Sequence, residues 1–143
     1  MDQPRVLVAD DHPDVLRAIH SLLCDVGEVV GMVADGMALV QAAHRLAPDV
    51  IIADISMPGL SGLEATRALQ RSMPGSKVII LTVHRSPLYA SLAFDAGAYG
   101  YVLKSTAAAE LAQAVMHVLS GDRYVGQGVH VNEPCGVPRE WSS

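Results

Sequence analysis

Short apolar runs alternate along this chain with segments of helical periodicity. The runs are rich in β-branched residues and cover positions 5–9, 28–33, 50–53, 77–82 and 99–103, the second of them being the most broken. Continuous apolar runs of this length are typical of strands buried on both faces of a parallel sheet. Between them, apolar side chains share one helical face at positions 15, 16, 19, 22 and 23, and again at 111, 115, 118 and 119.

Local signals predict where the helices begin and end. Pro13 and Pro87 stand where a first helical residue is expected, and Asp35 can open the second helix. Ser61–Glu64 has the spacing of a capping box, and Gly121 is placed to end the last helix. The pattern therefore predicts an α/β domain of five strand–helix repeats, with a five-stranded parallel sheet and helices on both faces.

Composition and charge narrow the possible functions. The chain has 143 residues, half of them hydrophobic, and a formal net charge of −5, which disfavours binding to nucleic-acid phosphates. No apolar run approaches the roughly 20 residues of a membrane helix, and the basic leader of an exported protein is absent, so we expect a cytoplasmic location. Cys24 and Cys135 lack the spacing of a zinc site, and His12 is expected to cap the first helix.

Chemically active side chains follow the predicted strands. Asp10 and Asp11 come after the first strand, Asp54 after the third, Thr82 ends the fourth and Lys104 follows the fifth. Each has an ordinary explanation taken alone, since acids often cap helices and lysines are usually solvated. Their gathering at one edge is harder to explain in that way, because ligands of open parallel sheets bind at the carboxyl ends of the strands.

The charge of this edge predicts a metal-assisted phosphoryl site. Three aspartates against one lysine leave a formal charge of about −2 in a small volume. A hard divalent cation relieves such repulsion, and Mg²⁺ is favoured where few carboxylates share it with a phosphate. One carboxylate can then act as a nucleophile, while Thr82 and Lys104 contact the phosphoryl oxygens.

Four motifs carry a family resemblance. They are ADDHP at 9–13, DISMPG at 54–59, LT at 81–82 and GYVLK at 100–104. Together they resemble the receiver domain of bacterial two-component response regulators, most of all the NarL/FixJ (LuxR-type) subfamily, over residues 4–121. The resemblance implies a flavodoxin-like (βα)5 fold and a phosphoacceptor switch that is not an enzyme, apart from possible self-catalysed phosphorylation and dephosphorylation.

The resemblance also implies a role for each site residue. Asp54 would accept the phosphoryl group from a sensor histidine kinase. Mg²⁺ would be held by Asp10, Asp11, Asp54 and the backbone carbonyl of Ser56.

The remaining residues would form the switch and tune its lifetime. Thr82 and Lys104 would contact the phosphoryl group, and Tyr101 would either rotate inward on activation or stay packed in the core. Ser56 and His84 would flank the path of the water that hydrolyses the phosphoryl group.

Residues 122–143 are rich in Gly and Pro and are predicted to form a linker-like or truncated tail without a DNA-binding domain. Within it, the stretch 137–140 faintly resembles the start of a helix-turn-helix segment. DNA binding is therefore expected of a full-length relative rather than of this chain, and a homodimer is possible.

Two other functions remain open at this point. A receiver-like module could bind partners without phosphorylation, although the complete set of acidic, hydroxyl and lysine side chains argues against this. A Mg²⁺-dependent phosphohydrolase of the haloacid-dehalogenase class would need a second aspartate two positions after the nucleophile, where this chain has Ser56.

Overall fold

The computed structural model describes residues 3–129. Its strands are β1 (Arg5–Ala9), β2 (Glu28–Val33), β3 (Val50–Ala53), β4 (Lys77–Thr82), β5 (Gly100–Leu103) and β6 (Tyr124–Val125). They form one sheet in the order β2-β1-β3-β4-β5-β6, and every pairing is parallel. The order of the first five strands is that of the flavodoxin-like folds, so the predicted fold class is confirmed.

The helices cover both faces of this sheet. They are α1 (Pro13–Leu23), α2 (Gly36–Leu46), α3 (Gly62–Ser72), α4 (Pro87–Asp95) and α5 (Ala107–Leu119), with a 3₁₀ turn at Lys104–Thr106. Residues of α1 and α5 pack in one hydrophobic cluster, and residues of α2, α3 and α4 pack in another on the opposite face. No helix between residues 3 and 129 is long and apolar enough to span a membrane.

Alternation along each central strand supplies both clusters. Leu7 and Ile51 belong to the α2–α4 side, whereas Val8 and Ile52 belong to the α1–α5 side, and all four are almost completely buried. Burying a side chain of this kind stabilises the fold by about 1.5–3 kcal/mol. This two-sided burial explains why the strands appear as continuous apolar runs.

The predicted helix boundaries are confirmed. Pro13 and Pro87 are the first residues of α1 and α4. Asp35 caps α2 by accepting a hydrogen bond from the Ala38 N–H, and Ser61 caps α3 in a reciprocal capping box with Glu64.

The sequence predicts a linker from residue 122, whereas the structure continues the sheet there. Tyr124 and Val125 form β6 beside β5, with Gly100 opposite Tyr124 and Tyr101 opposite Val125. The physical reason is an unpaired edge of β5, which offers backbone groups that an added strand can satisfy. The rest of the predicted tail, residues 130–143, lies outside the described residues.

Candidate functional site

The carboxyl edge of the sheet brings the predicted side chains together. Asp10 follows β1 and Asp54 follows β3, which are neighbours in the sheet. Thr82 ends β4, and Lys104 follows β5. Because β1, β3, β4 and β5 are consecutive in the sheet, these side chains surround one point beside the crossover between β1 and β3.

Two of the carboxylates are buried at this point. Asp10 is 1% exposed and Asp54 is 5% exposed, whereas Asp11 stands at the exposed rim. Asp10, Asp11 and Asp54 each contribute one carboxylate oxygen to a group of atoms that all lie within 4.8 Å of one another, and a ring nitrogen of His12 belongs to the same group. The three acids therefore form a compact cluster of negative charge.

Lys104 bridges the two buried carboxylates. Its Nζ lies 2.8 Å from Asp10 Oδ2 and 2.9 Å from Asp54 Oδ2. Burial acts to lower the pKa of Lys104, but the hydrogen bonds to Asp10 and Asp54 outweigh it and hold the pKa above its usual value. The lysine is therefore an ammonium that offsets part of the charge of the cluster.

His12 belongs to the cluster; the sequence places it at the border of the acidic site but favours a helix cap for its side chain. It occupies the N-cap position of α1, as expected, but its side chain makes no capping hydrogen bond. Its Nδ1 instead lies 3.1 Å from Asp10 Oδ1 and 3.0 Å from Asp11 Oδ1. The expected cap is corrected because two neighbouring carboxylates are stronger partners for an imidazole than the backbone of the first turn. The adjacency of the histidine to two acids in the sequence is the signal that could have found it.

Thr82 and Tyr101 both bond to the backbone of His84. Thr82 is fully buried, and its Oγ1 accepts a hydrogen bond of 3.3 Å from the His84 N–H. Tyr101 is also fully buried, and its hydroxyl donates to the His84 carbonyl over 2.8 Å. Burial raises the pKa of the Tyr101 phenol far above its usual value, so the hydroxyl keeps its proton. The aromatic ring thus occupies the inward position in this structure.

The side chain of His84 reaches the rim of the same site. Its Nε2 lies 3.2 Å from the hydroxyl oxygen of Ser56, which is exposed two positions after Asp54. Its ring also stacks on Tyr89 of α4, with the ring centroids 4.3 Å apart. The loop between β4 and α4 therefore contacts both Ser56, two positions after Asp54, and the Tyr101 hydroxyl.

The sequence of this chain is similar to those of curated response regulators. Response regulator GacA of Pseudomonas viridiflava is 42% identical over 123 residues, which are 85% of this chain and 58% of the relative. Response regulator UvrY of Escherichia coli strain K12 is 42% identical over 127 residues, covering 87% of this chain and 58% of the relative. The chain thus spans 58% of the length of these curated relatives.

Solved structures of response regulators are also similar to this chain. A LuxR-family two-component response regulator from Aurantimonas sp. SI85-9A1 is similar with a TM-score of 0.82 and 34% identity, over 86% of this chain and 89% of that one. The isolated REC domain of RcsB from Salmonella enterica serovar Typhimurium, solved in the presence of phosphomimetic BeF3⁻, is similar with a TM-score of 0.82 and 32% identity, over 90% of this chain and 96% of that one.

The family model described as the response regulator receiver domain matches residues 6–116, which include every member of the acidic cluster, Thr82, Tyr101 and Lys104. This chain belongs to the response regulator receiver domain family.

Proposed function

We propose that this receiver domain accepts a phosphoryl group on Asp54, with Mg²⁺, from a sensor histidine kinase. The carrying observation is the pairing of two buried carboxylates, Asp10 and Asp54, across a single lysine at 2.8 and 2.9 Å. Asp54 is buried yet lies beside the exposed rim that carries Asp11 and Ser56, so one of its oxygens can meet an incoming donor.

The donor set fits a hard divalent cation. The three aspartates supply oxygen ligands within 4.8 Å of one another, and carboxylate oxygens are the ligands that Mg²⁺ prefers. Asp10, Asp11, Asp54 and the backbone carbonyl of Ser56 would hold the ion. When bound, it would neutralise the negative charge that otherwise repels a phosphoryl donor.

Asp54, Lys104 and Thr82 would each have a separate role in phosphoryl transfer. A carboxylate oxygen of Asp54 attacks phosphorus and forms the new O–P bond, while the bond from phosphorus to the donor breaks and its electron pair leaves with the donor. Lys104 can stabilise the negative charge that develops on the phosphoryl oxygens, since its ammonium already contacts Asp54. Thr82 ends the neighbouring strand and can donate its hydroxyl hydrogen to the same oxygens.

The change at Asp54 would be transmitted through His84. Phosphorylation adds about one further negative charge and three strong acceptor oxygens. A shift of Thr82 toward those oxygens acts on the loop whose carbonyl holds the Tyr101 hydroxyl. We propose that phosphorylation favours the inward position of Tyr101, which is a shift in population rather than a new fold. The contact between Ser56 and His84 would set how water reaches the phosphoryl group.

In this proposal, the output function belongs to a full-length protein that is longer than this chain. The chain spans only part of GacA and UvrY, and a structure of RcsB has been solved as a complex with DNA. By that likeness we propose transcription control by a full-length protein, with a homodimer of the receiver as a further expectation. The net charge of −5 argues against DNA contact through this domain itself.

Intact-mass spectrometry tests this function. The chain is incubated with Mg²⁺ and a small acyl phosphate, alongside Asp54→Asn and, as a matched control, Asp14→Asn, whose carboxylate is on the exposed surface of α1. We expect one phosphoryl group on the wild type and on the control, none on Asp54→Asn, and none with a chelator. Equal labelling of Asp54→Asn and the wild type would refute the assignment. If the wild type gains no phosphoryl group and does not bind beryllofluoride either, the domain acts as an interaction module without phosphorylation.

A further inference from the structure

The residues that follow α5 are built into the domain. We call residues 124–129 the exit segment. The Tyr124 N–H donates to the Tyr99 carbonyl over 2.8 Å, and the Gly126 N–H donates to the Tyr101 carbonyl over 2.8 Å. Val129 is 8% exposed and packs in the same cluster as Tyr101. The exit segment therefore bonds directly to the strand that carries the switch tyrosine.

A buried carboxylate clamps the exit segment to α5. Glu110, in the first turn of α5, is only 4% exposed. Its Oε1 accepts one hydrogen bond of 2.7 Å from the Tyr124 hydroxyl and another of 2.9 Å from the Gln127 N–H. A glutamate is rarely buried unless such partners compensate for its lost hydration.

The charge state of Glu110 suits this role. Burial acts to raise its pKa, but hydrogen bonds from Thr106, Tyr124 and Gln127 outweigh burial and lower it. The carboxylate is therefore ionised near neutral pH, and its bonds to the exit segment are charge-assisted, which makes them stronger than neutral ones.

The backbone at Gly126 packs tightly against β5 and Glu110. A Cβ built there would lie 3.1 Å from the Tyr101 carbonyl oxygen and 3.3 Å from Glu110 Oε2. Gly128 has a φ of +80°, and a Cβ there would lie 3.7 Å from an Arg85 guanidinium nitrogen. The exit segment thus lies against β5, whose Tyr101 hydroxyl bonds to His84 in the β4–α4 loop.

We propose that the exit segment, clamped by Glu110, transmits the phosphorylation state of Asp54 to the residues that follow position 129. This inference rests on the proposed function, because it needs a phosphoryl-dependent change at Thr82 and Tyr101. A change that stabilises the inward position of Tyr101 also stabilises the contacts of Tyr101 with the exit segment. These are the hydrogen bond from the Gly126 N–H to the Tyr101 carbonyl and the packing of Val129 in the cluster that contains Tyr101. By thermodynamic reciprocity, loosening the segment weakens the activated arrangement by the same factor.

Hydrogen exchange measured by mass spectrometry tests the proposal on the full chain, with and without Mg²⁺ and beryllofluoride. In the wild type we expect slow exchange over 124–129 and a further slowing with beryllofluoride. Glu110→Gln weakens two charge-assisted bonds, so exchange there should become roughly tenfold faster and respond less to beryllofluoride. The matched control is Glu64→Gln, which removes a charge from the first turn of α3 and should leave 124–129 unchanged.

Two milder variants keep the proposal falsifiable if Glu110→Gln does not fold. Tyr124→Phe removes one donor to Glu110, and Gly126→Ala crowds the Tyr101 carbonyl without changing any charge. Both should speed exchange over 124–129, and both should weaken beryllofluoride binding.

The exchange data separate the two proposals. Slowing around Asp54 and Thr82 without any change over 124–129 overturns the exit-segment inference and leaves the proposed function standing. If neither region responds to beryllofluoride, the proposed function fails and the inference fails with it.

Discussion

Replacing Lys104 with methionine tests how much the acidic cluster depends on its one bridging cation. The substitution keeps most of the length of the side chain but leaves Asp10 and Asp54, whose side chains are 2% and 6% exposed, facing each other without an ammonium between them. Removing one partner of a buried ion pair costs about 3–5 kcal/mol. Lys104 is itself 17% exposed and water can enter the gap, so we expect the lower end, ~3 kcal/mol. For a domain of this size, that loss lowers Tm by about 10 °C.

Urea unfolding in the presence of a chelator measures this loss. The matched control is Lys77→Met, which removes the other lysine of the chain and its contact 4.1 Å from the centre of the Tyr99 ring. That contact contributes about 0.5–1 kcal/mol. Added Mg²⁺ should then stabilise Lys104→Met more than the wild type, because a bound cation replaces the missing charge. A loss no larger for Lys104→Met than for Lys77→Met would refute the view that the lysine offsets the repulsion.

Three further changes have expected outcomes in stability measurements. Tyr101→Phe removes the hydrogen bond to the His84 carbonyl and should reduce the free energy of unfolding by about 1 kcal/mol, and an unchanged urea midpoint would show that this bond contributes nothing. Ser61→Ala removes the hydroxyl that accepts from the Glu64 N–H in the capping box of α3 and should cost about 1 kcal/mol, as judged against Ser72→Ala at the end of the same helix. Because the pKa of Glu110 is lowered in the folded state, its stabilisation is present above the usual value of 4.5 and is lost as the pH falls through the folded pKa. The wild type should therefore lose its stability advantage over Glu110→Gln on acidification, and a gap independent of pH would contradict that pKa.

The sheet was predictable because its central strands are buried on both faces. Val50–Ala53 and the other central strands contain almost no polar residue, and tight helix signals such as Ser61–Glu64 separate them. The meeting of Asp10, Asp54 and Lys104 follows from the topology, since consecutive parallel strands end at the same edge.

The features that sequence reasoning missed depend on tertiary contacts. A strand of two residues, Tyr124 and Val125, has no periodicity to detect, and it forms because the edge of β5 is available. Glu110 looks like an ordinary surface residue of an amphipathic helix, yet the exit segment covers it and buries its carboxylate. His12 has the position of a helix cap, and only the fold shows that its ring turns toward the acids.

Reductive mapping of the phosphorylated residue tests the central claim most directly. The chain is treated with Mg²⁺ and a phosphoryl donor, and borohydride then reduces any acyl phosphate to an alcohol, which marks the modified aspartate permanently. Peptide mass spectrometry should find homoserine at position 54 of the wild type, and none in a sample prepared with a chelator. Homoserine at Asp10 or Asp11 instead, or at no aspartate while a phosphoryl group is present by mass, would contradict the assignment of Asp54 as the phosphoacceptor.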